Sequence, residues 1–225
     1  SGGNGNDTLT GGTGDDSIDG NAGADSATLG DGDDTFVWDA GDGSDAVDGQ
    51  DGHDSLVFNG ALGAEKLDLF AQGSHAILKR DVGTITMDLD GVERVVENPL
   101  GGTDTVTVRD LSSTDVTEAD VDLTGSPGGS GGDGAADSVV VNATDGPDSA
   151  AVTSDARGAV TVSGLHAQVT VRGSDGPLDA LTFNALGGDD AVDATGLAAG
   201  IIALTVNGGA GNDTLTGGVG TVLVQ

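Results

Sequence analysis

The sequence has no cysteine and no tyrosine, and only one tryptophan among its 225 residues. The absence of cysteine excludes a disulfide framework, so a thin core needs another kind of cross-link. Seven lysine and arginine residues are too few for an interface that neutralises nucleic-acid phosphates. With so few aromatic rings, a carbohydrate-binding cleft is also poorly equipped. These absences argue against a disulfide-rich domain, a nucleic-acid partner and a sugar-processing site.

Long apolar runs and helical periodicity are also missing. No stretch approaches the roughly 18 apolar residues of a membrane span, and no signal peptide opens the chain. No segment repeats its apolar residues with the helical period of about 3.6. The sequence therefore predicts an all-β protein without a membrane span.

Acidic residues and glycine are abundant instead. The chain has 38 Asp and Glu residues, 42 Gly and a formal net charge of −31. Unneutralised carboxylates repel one another, so a charge of this size indicates disorder unless bound cations cancel it. The pattern in which these residues recur favours bound cations.

The first 28 residues contain three nine-residue repeats in register: GGNGNDTLT, GGTGDDSID and GNAGADSAT. Each repeat has an aspartate at its sixth place, namely Asp7, Asp16 and Asp25. Glycine permits tight turns and clears space for carbonyls to approach a cation. Aspartate supplies a hard oxygen ligand, of which Ca²⁺ takes about six to eight. Each nonad is thus predicted to be a calcium-binding turn followed by a short strand, which stacks on its neighbours.

The nonads continue in a degraded form. Asp34 keeps the pattern, Trp38 and Asp39 are a two-residue insertion, and Asp45 and Asp54 follow in the resumed register. We expect Trp38 to cover the edge of the stack. A complete nonad returns near the end of the chain, with Asp213 at its sixth place, and residues 208–220 differ from residues 2–14 at only two positions.

This pattern resembles the RTX (repeats-in-toxin) family of secreted calcium-binding proteins. The residues that carry the resemblance are Gly2, Gly3, Gly5, Asp7, Leu9, Gly11, Gly12, Gly14, Asp16 and Ile18. The resemblance implies a parallel β-roll in which turns two nonads apart share a Ca²⁺ ion, so that Asp7 pairs with Asp25 and Asp16 with Asp34. It further implies that turn carbonyls complete the ligand shell. The predicted backbone positions are Gly2, Asn4, Gly11, Thr13, Gly14, Gly23, Gly32, Gly208 and Gly211.

A longer period replaces the nonad after Phe58. Its unit is an apolar strand ending in asparagine, then a glycine turn, then an acid six residues after the asparagine. The asparagines are Asn59, Asn98, Asn142, Asn184 and Asn207, and the acids are Glu65, Asp104, Asp148, Asp190 and Asp213. Short β-branched strands between them predict a right-handed parallel β-helix with rungs of about 21 residues. The asparagines form either a ladder of stacked amides or turns of left-handed conformation.

The fold class predicted is thus an all-β, right-handed parallel β-roll that continues into a parallel β-helix. Residues 1–58 are the predicted calcium-binding roll, 59–206 the β-helix and 207–225 a terminal nonad with a closing strand. Acids in the second part lack the full glycine frame, and we expect one or two ions there and ordinary turn caps elsewhere. These weaker candidates are Asp104, Asp137, Asp148, Asp179 and Asp190.

Catalytic motifs are weak. His53, His75 and His166 are isolated, and the one G-x-S-x-G match lies in a Gly/Ser loop at residues 128–132. The basic residues Lys66, Lys79, Arg80 and Arg94 cluster in sequence, as a polysaccharide-modifying β-helix would require, but they also balance neighbouring acids.

We therefore predict no enzyme but a secreted, calcium-folded structural or adhesive module, exported without an N-terminal signal. Its near-identical ends suggest head-to-tail self-association. The alternatives are the calcium-binding part of a larger enzyme or toxin and a polysaccharide-modifying enzyme.

Overall fold

The computed structural model describes residues 1–224, which form short strands and one 3₁₀ turn, Val82–Thr84. Within this range, no helix has the length and the apolar composition that a membrane span needs. The strands are β1 (Gly3–Asn4), β2 (Thr8–Thr13), β3 (Ser17–Asp19), β4 (Asn21–Ala22), β5 (Ser26–Asp31), β6 (Thr35–Trp38), β7 (Ala46–Asp51), β8 (Ser55–Asn59), β9 (Lys66–Gln72), β10 (His75–Arg80), β11 (Ile85–Asp90), β12 (Arg94–Asn98), β13 (Thr105–Val108), β14 (Glu118–Asp122), β15 (Ser138–Asn142), β16 (Ser149–Ser154), β17 (Val160–Ser163), β18 (Gln168–Arg172), β19 (Gly176–Asn184), β20 (Ala191–Gly196), β21 (Ile202–Asn207), β22 (Thr214–Gly217) and β23 (Val222–Val224). Gln225, the last residue of the predicted closing strand, lies outside the described residues.

Two long sheets face each other across a single core. Sheet I has eleven strands in the order β2-β5-β7-β11-β10-β9-β13-β15-β19-β21-β23. Sheet II has ten strands in the order β22-β20-β16-β17-β18-β14-β12-β8-β6-β3, and β1 pairs separately with β4. Both sheets run through residues 58–59 and 206–207, where the sequence pattern changes. The predicted all-β solenoid with long parallel sheets is confirmed.

The strands of the repeats alternate between the two sheets. Strands β2, β5 and β7 pair in parallel in sheet I, and β3, β6 and β8 do so in sheet II. Thr8 pairs with Ser26, two nonads later. Ser26 then pairs with Ala46, because the inserted Trp38 and Asp39 lengthen that coil by two residues. A nonad is thus half a coil, as predicted.

Two antiparallel meanders interrupt this regular stacking, and here the predicted rungs of about 21 residues are wrong. Strands β9, β10 and β11 form a meander in sheet I, and β16, β17 and β18 form one in sheet II. The intervals from Asn59 to Asn98 and from Asn142 to Asn184 are therefore each one coil with an extra hairpin. The alternation of apolar and polar residues is the same in parallel and antiparallel strands, so it did not reveal these hairpins.

The core consists of the inward-facing residues of both sheets. In β6 and β8, burial alternates along the strand, which places Phe36, Trp38, Leu56 and Phe58 inside. Trp38 is fully buried, and its ring stacks on Phe58 with centroids 4.1 Å apart. Its indole N–H donates to the Gly43 carbonyl at 2.7 Å. Trp38 is thus a core residue, and its predicted role of covering the edge of the stack is wrong.

The asparagines that end the strands form two amide ladders. The Asn98 side chain donates to Asn59 Oδ1 at 2.8 Å in sheet II. In sheet I, the Asn184 and Asn207 side chains donate to the preceding asparagine of the ladder at 2.8 and 2.7 Å. None of the five asparagines has a positive φ among the described residues. The ladder interpretation therefore holds, and the left-handed turn interpretation does not.

Candidate metal centre

The turn aspartates lie in two columns on opposite edges of the roll. Each aspartate immediately precedes a strand, and successive strands belong to alternate sheets. We call the turns that lead into sheet I the first edge and those that lead into sheet II the second edge. The first edge carries Asp7, Asp25 and Asp45, and the second edge carries Asp16, Asp34 and Asp54.

Backbone hydrogen bonds connect each column. On the first edge, Asp25 Oδ1 accepts from the Asp7 N–H at 2.7 Å, and Asp45 Oδ1 accepts from the Asp25 N–H at 2.9 Å. On the second edge, Asp34 Oδ1 accepts from Asp16 at 2.7 Å, and Asp54 Oδ1 from Asp34 at 2.8 Å. One oxygen of each acceptor carboxylate is therefore fixed by the neighbouring layer. Turns two nonads apart stack as predicted, while the sharing of an ion between them remains a prediction.

The second carboxylate oxygen has no partner in most of these turns. The Oδ2 atoms of Asp7, Asp25, Asp34, Asp45 and Asp54 are buried and make no hydrogen bond. Asp34 and Asp54 are at most 1% exposed. A buried charge is tolerated when it is paired or coordinates a metal, and is very costly otherwise. These oxygens therefore fit a cation that takes hard oxygen ligands.

The pKa values of two of these carboxylates are raised, as expected for buried acids without a positive charge beside them. Burial is the largest cause that raises the pKa of both Asp45 and Asp54 to about 6. A backbone hydrogen bond offsets part of that increase, and the charge of the adjacent column member, Asp25 or Asp34, adds to it. A divalent cation beside them would favour the ionised form and so act in the opposite direction.

Glycine at the first place of the nonad makes room for the free oxygen. A Cβ atom on Gly2 would lie 2.7 Å from Asp7 Oδ2 and 2.7 Å from the Gly20 carbonyl oxygen. A Cβ atom on Gly20 would overlap Asp25 Oδ2 in the same way. The first glycine thus leaves a recess in which a carboxylate oxygen and a backbone oxygen of the next layer come together. That combination suits Ca²⁺, which accepts both kinds of ligand.

The remaining predicted backbone ligands lie on the same two edges. Asn4 ends β1, which pairs with β4 of the next coil, and Thr13 ends β2. Each edge also has a column of glycines two residues before the acids. These glycines approach so closely that a Cβ atom on the later one would overlap the backbone of the earlier one. The columns include Gly5, Gly23 and Gly43 on the first edge and Gly14, Gly32 and Gly52 on the second.

Sequence reasoning missed Glu93, which extends the second column. Glu93 Oε2 accepts from the Asp54 N–H at 2.7 Å, as the nonad aspartates do for one another. Gly91 lies two residues before it, and its carbonyl is close to Gly49. The spacing of a glycine two residues before an acid could have identified this turn in the sequence, even though the full nonad is absent.

Two further columns lie in the middle of the chain. On the first edge, Glu65, Asp104, Asp137 and Asp179 are joined in order by backbone donation to the next carboxylate, at 2.8, 2.8 and 3.0 Å. On the second edge, Asp148, Asp190 and Asp213 are joined in the same way, at 2.8 and 3.1 Å. Asp213 thus stacks on a turn that is not a nonad.

Some acids of the middle region have partners within the chain. Arg80 is buried and forms an ion pair with Glu65. Asp148 Oδ2 accepts from both the backbone and the hydroxyl of Thr144, at 2.9 and 3.0 Å. Glu65 is thus paired with a basic residue and Asp148 is capped, whereas Glu65 Oε2 and Asp104 Oδ2 are buried without a hydrogen-bond partner.

Glu97 is a different kind of buried acid. It is fully buried on the inward side of β12, away from both edges, and neither carboxylate oxygen has a partner. Burial, the largest cause, and the charge of Asp68 raise its pKa to about 8. Glu97 is therefore predominantly protonated at neutral pH and is not a candidate ligand.

The basic residues that cluster in sequence are separated in the structure. Arg80 is buried against Glu65 and lies over the Trp38 ring, 5.4 Å from its centroid. Arg94 Nε donates to Asp120 at 2.9 Å, and Lys79 lies over the Phe70 ring at 5.3 Å. The structure therefore does not bring these groups together into one basic site.

No group of three or more His, Asp or Glu side chains converges within residues 1–224. The turn columns instead bring acids together in succession along an edge, with backbone carbonyls between them.

Residues 1–36 and 205–221 match the family model of the RTX calcium-binding nonapeptide repeat, in four copies. No curated protein matches the chain. RTX nonapeptide repeats bind Ca²⁺ at several sites, so calcium is the cation indicated for the turns within the matched residues.

Proposed function

We propose that this chain, which carries RTX calcium-binding nonapeptide repeats in two segments, is a secreted structural or adhesive module that folds when it binds calcium. The observation that carries the proposal is the set of buried turn carboxylates whose second oxygen has no partner. In a protein of net charge −31, these groups oppose the fold until cations neutralise them. Weak calcium sites of extracellular modules fill at about 10⁻⁴ to 10⁻³ M. The module would therefore order as it leaves the cell.

The chain's own residues prepare each site. Backbone N–H groups orient one carboxylate oxygen, as the Asp7 N–H does for Asp25 Oδ1 at 2.7 Å. The first glycine leaves space around the other oxygen, as at Gly2. Bound calcium supplies two positive charges and an affinity for oxygen ligands. Neutralisation on both edges stabilises the stack of coils, which gives a rigid rod.

The proposal is tested by far-UV circular dichroism during a calcium titration of the chelated protein. We expect strand content to rise cooperatively with calcium, because ion binding and folding are coupled. A magnesium titration is the control, since Mg²⁺ demands octahedral geometry and gives up its water reluctantly. Unchanged strand content after chelation would refute the proposal.

End-to-end self-association is a second candidate, favoured by the similarity of residues 2–14 and 208–220. Leu9 and Leu215 occupy equivalent positions in these segments, and both are only partly buried. Leu9 lies in sheet I and Leu215 in sheet II. A second copy would therefore dock after half a turn about the roll axis, so that its β2 adds to β22. Such a contact does not close and so propagates.

Electron microscopy at millimolar calcium, compared with chelator, tests self-association. We expect filaments with calcium and none without it. A Leu215→Lys substitution, which places a charge on the proposed contact, should abolish filaments while leaving the calcium-induced dichroism intact. Monomers at high protein concentration with calcium would contradict self-association and leave the calcium-dependent fold untouched.

A further inference from the structure

The turn at residues 185–190 lies outside the matched repeats but carries a free buried carboxylate oxygen. Asp190 is 2% exposed. Its Oδ1 accepts from the Asp148 N–H at 2.8 Å, and its own N–H donates to Asp213 Oδ1 at 3.1 Å. Its Oδ2 has no hydrogen-bond partner. Asp190 thus has the same hydrogen-bond pattern as the buried aspartates of the repeats. In its sequence, ALGGDD, Ala185 and Leu186 stand where a nonad has its first two glycines, so the glycine recess beside Asp7 is not repeated here.

The backbone of this turn also has the conformation of the repeat turns. Leu186, four residues before Asp190, has φ = 70°, and Gly188, two residues before it, has φ = 129°. Asn21 and Gly23 occupy the same places before Asp25, with φ of 60° and 156°. A left-handed conformation is uncommon for a bulky residue such as leucine. The coil geometry therefore imposes this turn against the preference of its sequence.

The next turn, residues 208–213, is bonded directly to this one. The Gly188 N–H donates to the Ala210 carbonyl at 2.9 Å, and the Ala210 N–H donates to the Leu186 carbonyl at 2.8 Å. Gly208 leaves space beside Asp213 Oδ2, because a Cβ atom there would overlap that oxygen. Both turns therefore direct a carboxylate toward the same edge, within a rigid backbone frame.

Some acids of the columns have partners within the chain, whereas Asp190 Oδ2, like Asp104 Oδ2, has none. Asp148 is capped by Thr144, and Glu65 on the other edge is paired with Arg80. Among the described residues, Asp190 forms no ion pair with a lysine, arginine or histidine. A positive charge from outside the chain would stabilise an ionised carboxylate that is buried in this position.

We propose that the turns at 185–190 and 208–213 bind a divalent cation of the calcium type between them, with Asp190 Oδ2 as a ligand. This inference deepens the proposed function and rests on it. It places a calcium site where only one of the two turns is a recognisable nonad. The terminal repeat is thereby joined to the middle of the solenoid through an ion.

Anomalous diffraction from crystals grown with Ca²⁺ or soaked with Tb³⁺ locates the ions directly. We expect a peak between the two turns as well as peaks at the Asp7 to Asp54 columns. Peaks at those columns without one beside Asp190 would overturn this inference alone. If no turn of the repeats shows a peak, the proposed function fails as well.

Calcium stoichiometry of the full chain provides the second measurement. Asp190→Asn should lose about one bound ion per chain, because the amide keeps the shape but not the charge. Asp193→Asn is the matched control: Asp193 is exposed on the following strand and bonds only Thr195. We expect this control to keep the wild-type number of ions. Equal stoichiometry in Asp190→Asn and wild type would overturn the inference, and the diffraction experiment decides the case if Asp190→Asn does not fold.

Discussion

The repeat coils at residues 1–58 and the coils at 59–206 share the same two sheets but neutralise their edges differently. In the repeats, the acids at both edges keep a free oxygen beside a glycine recess, as Asp7 does beside Gly2. In the middle region, Arg80 pairs with Glu65 and Thr144 caps Asp148, while Asp104 and Asp190 keep a free buried oxygen, as the acids of the repeats do. A solenoid edge can thus be stabilised by external ions or by side chains, and only the first solution makes folding depend on calcium.

The largest effect is expected where a protein side chain takes the place of an ion. Arg80→Met removes the partner of buried Glu65 and should destabilise the middle region by about 3–5 kcal/mol without calcium. Arg109→Met is the control, because the Arg109–Asp68 pair is largely exposed and such pairs contribute about 0–1 kcal/mol. Urea unfolding of the chelated protein measures both. Equal costs for the two variants would contradict the role assigned to Arg80.

The glycine recess provides the next test. Gly20→Ala places a Cβ atom against Asp25 Oδ2 and should cost about 1–3 kcal/mol through overpacking. The calcium midpoint should therefore rise by about 5- to 160-fold. Gly63→Ala is the control in a middle-region turn, where a Cβ atom meets nothing within 4 Å. A calcium midpoint raised equally by both substitutions would argue against a recess specific to the repeats.

Coupling between acids tests the two-edge arrangement. Asp16 and Asp34 are adjacent on the second edge, joined by a hydrogen bond of 2.7 Å, whereas Asp25 lies on the first edge. A double-mutant cycle of Asp16→Asn and Asp34→Asn should show a coupling of about 1 kcal/mol in calcium binding. The cycle of Asp16→Asn with Asp25→Asn should be close to additive. Coupling in the second cycle alone would contradict ion sharing along one edge.

The smallest effect expected is that of pH. The folded-state pKa of Asp45 and Asp54 is raised to about 6. The calcium-free fold therefore binds more protons than the unfolded chain, and it gains stability as the pH falls from 7 through 6 towards the ordinary aspartate pKa of 3.8. Calcium binds the ionised form, so the affinity of a site governed by one such group should fall about fourfold at pH 5.5. Isothermal titration calorimetry at pH 7 and 5.5 measures the change, and tighter binding at pH 5.5 would refute it.

The repeats could be predicted from sequence because their geometry is local. A turn, an acid and one apolar strand residue all lie within nine residues, so the spacing of Asp7, Asp16 and Asp25 predicted the alternation between sheets. The inserted Trp38 and Asp39 likewise predicted the longer coil. Trp38 is buried against Phe58, its partner on the neighbouring strand twenty residues later, which no local pattern indicates.

The middle region was less predictable because its partners are distant in sequence. The segment HAILKR, which forms β10, reads as a strand, but nothing in it shows whether the strand is parallel or antiparallel to its neighbours. The pairing of Arg80 with Glu65 depends on that hairpin. The sequence did not indicate the repeat-like turn at Leu186, because leucine rarely has a positive φ. Only the stacked backbone holds Leu186 in that conformation.

Hydrogen exchange, followed by mass spectrometry with calcium and with chelator, tests the difference between the two regions most directly. We predict that chelation removes the protection of β2, β3, β5 and β6, whose edges lack positive charge. Strands β9 to β15, whose inward residues belong to the apolar core and whose edge has the Arg80–Glu65 pair, should keep most of their protection. Protection that is unchanged in the repeats, or lost equally in both regions, would contradict the account.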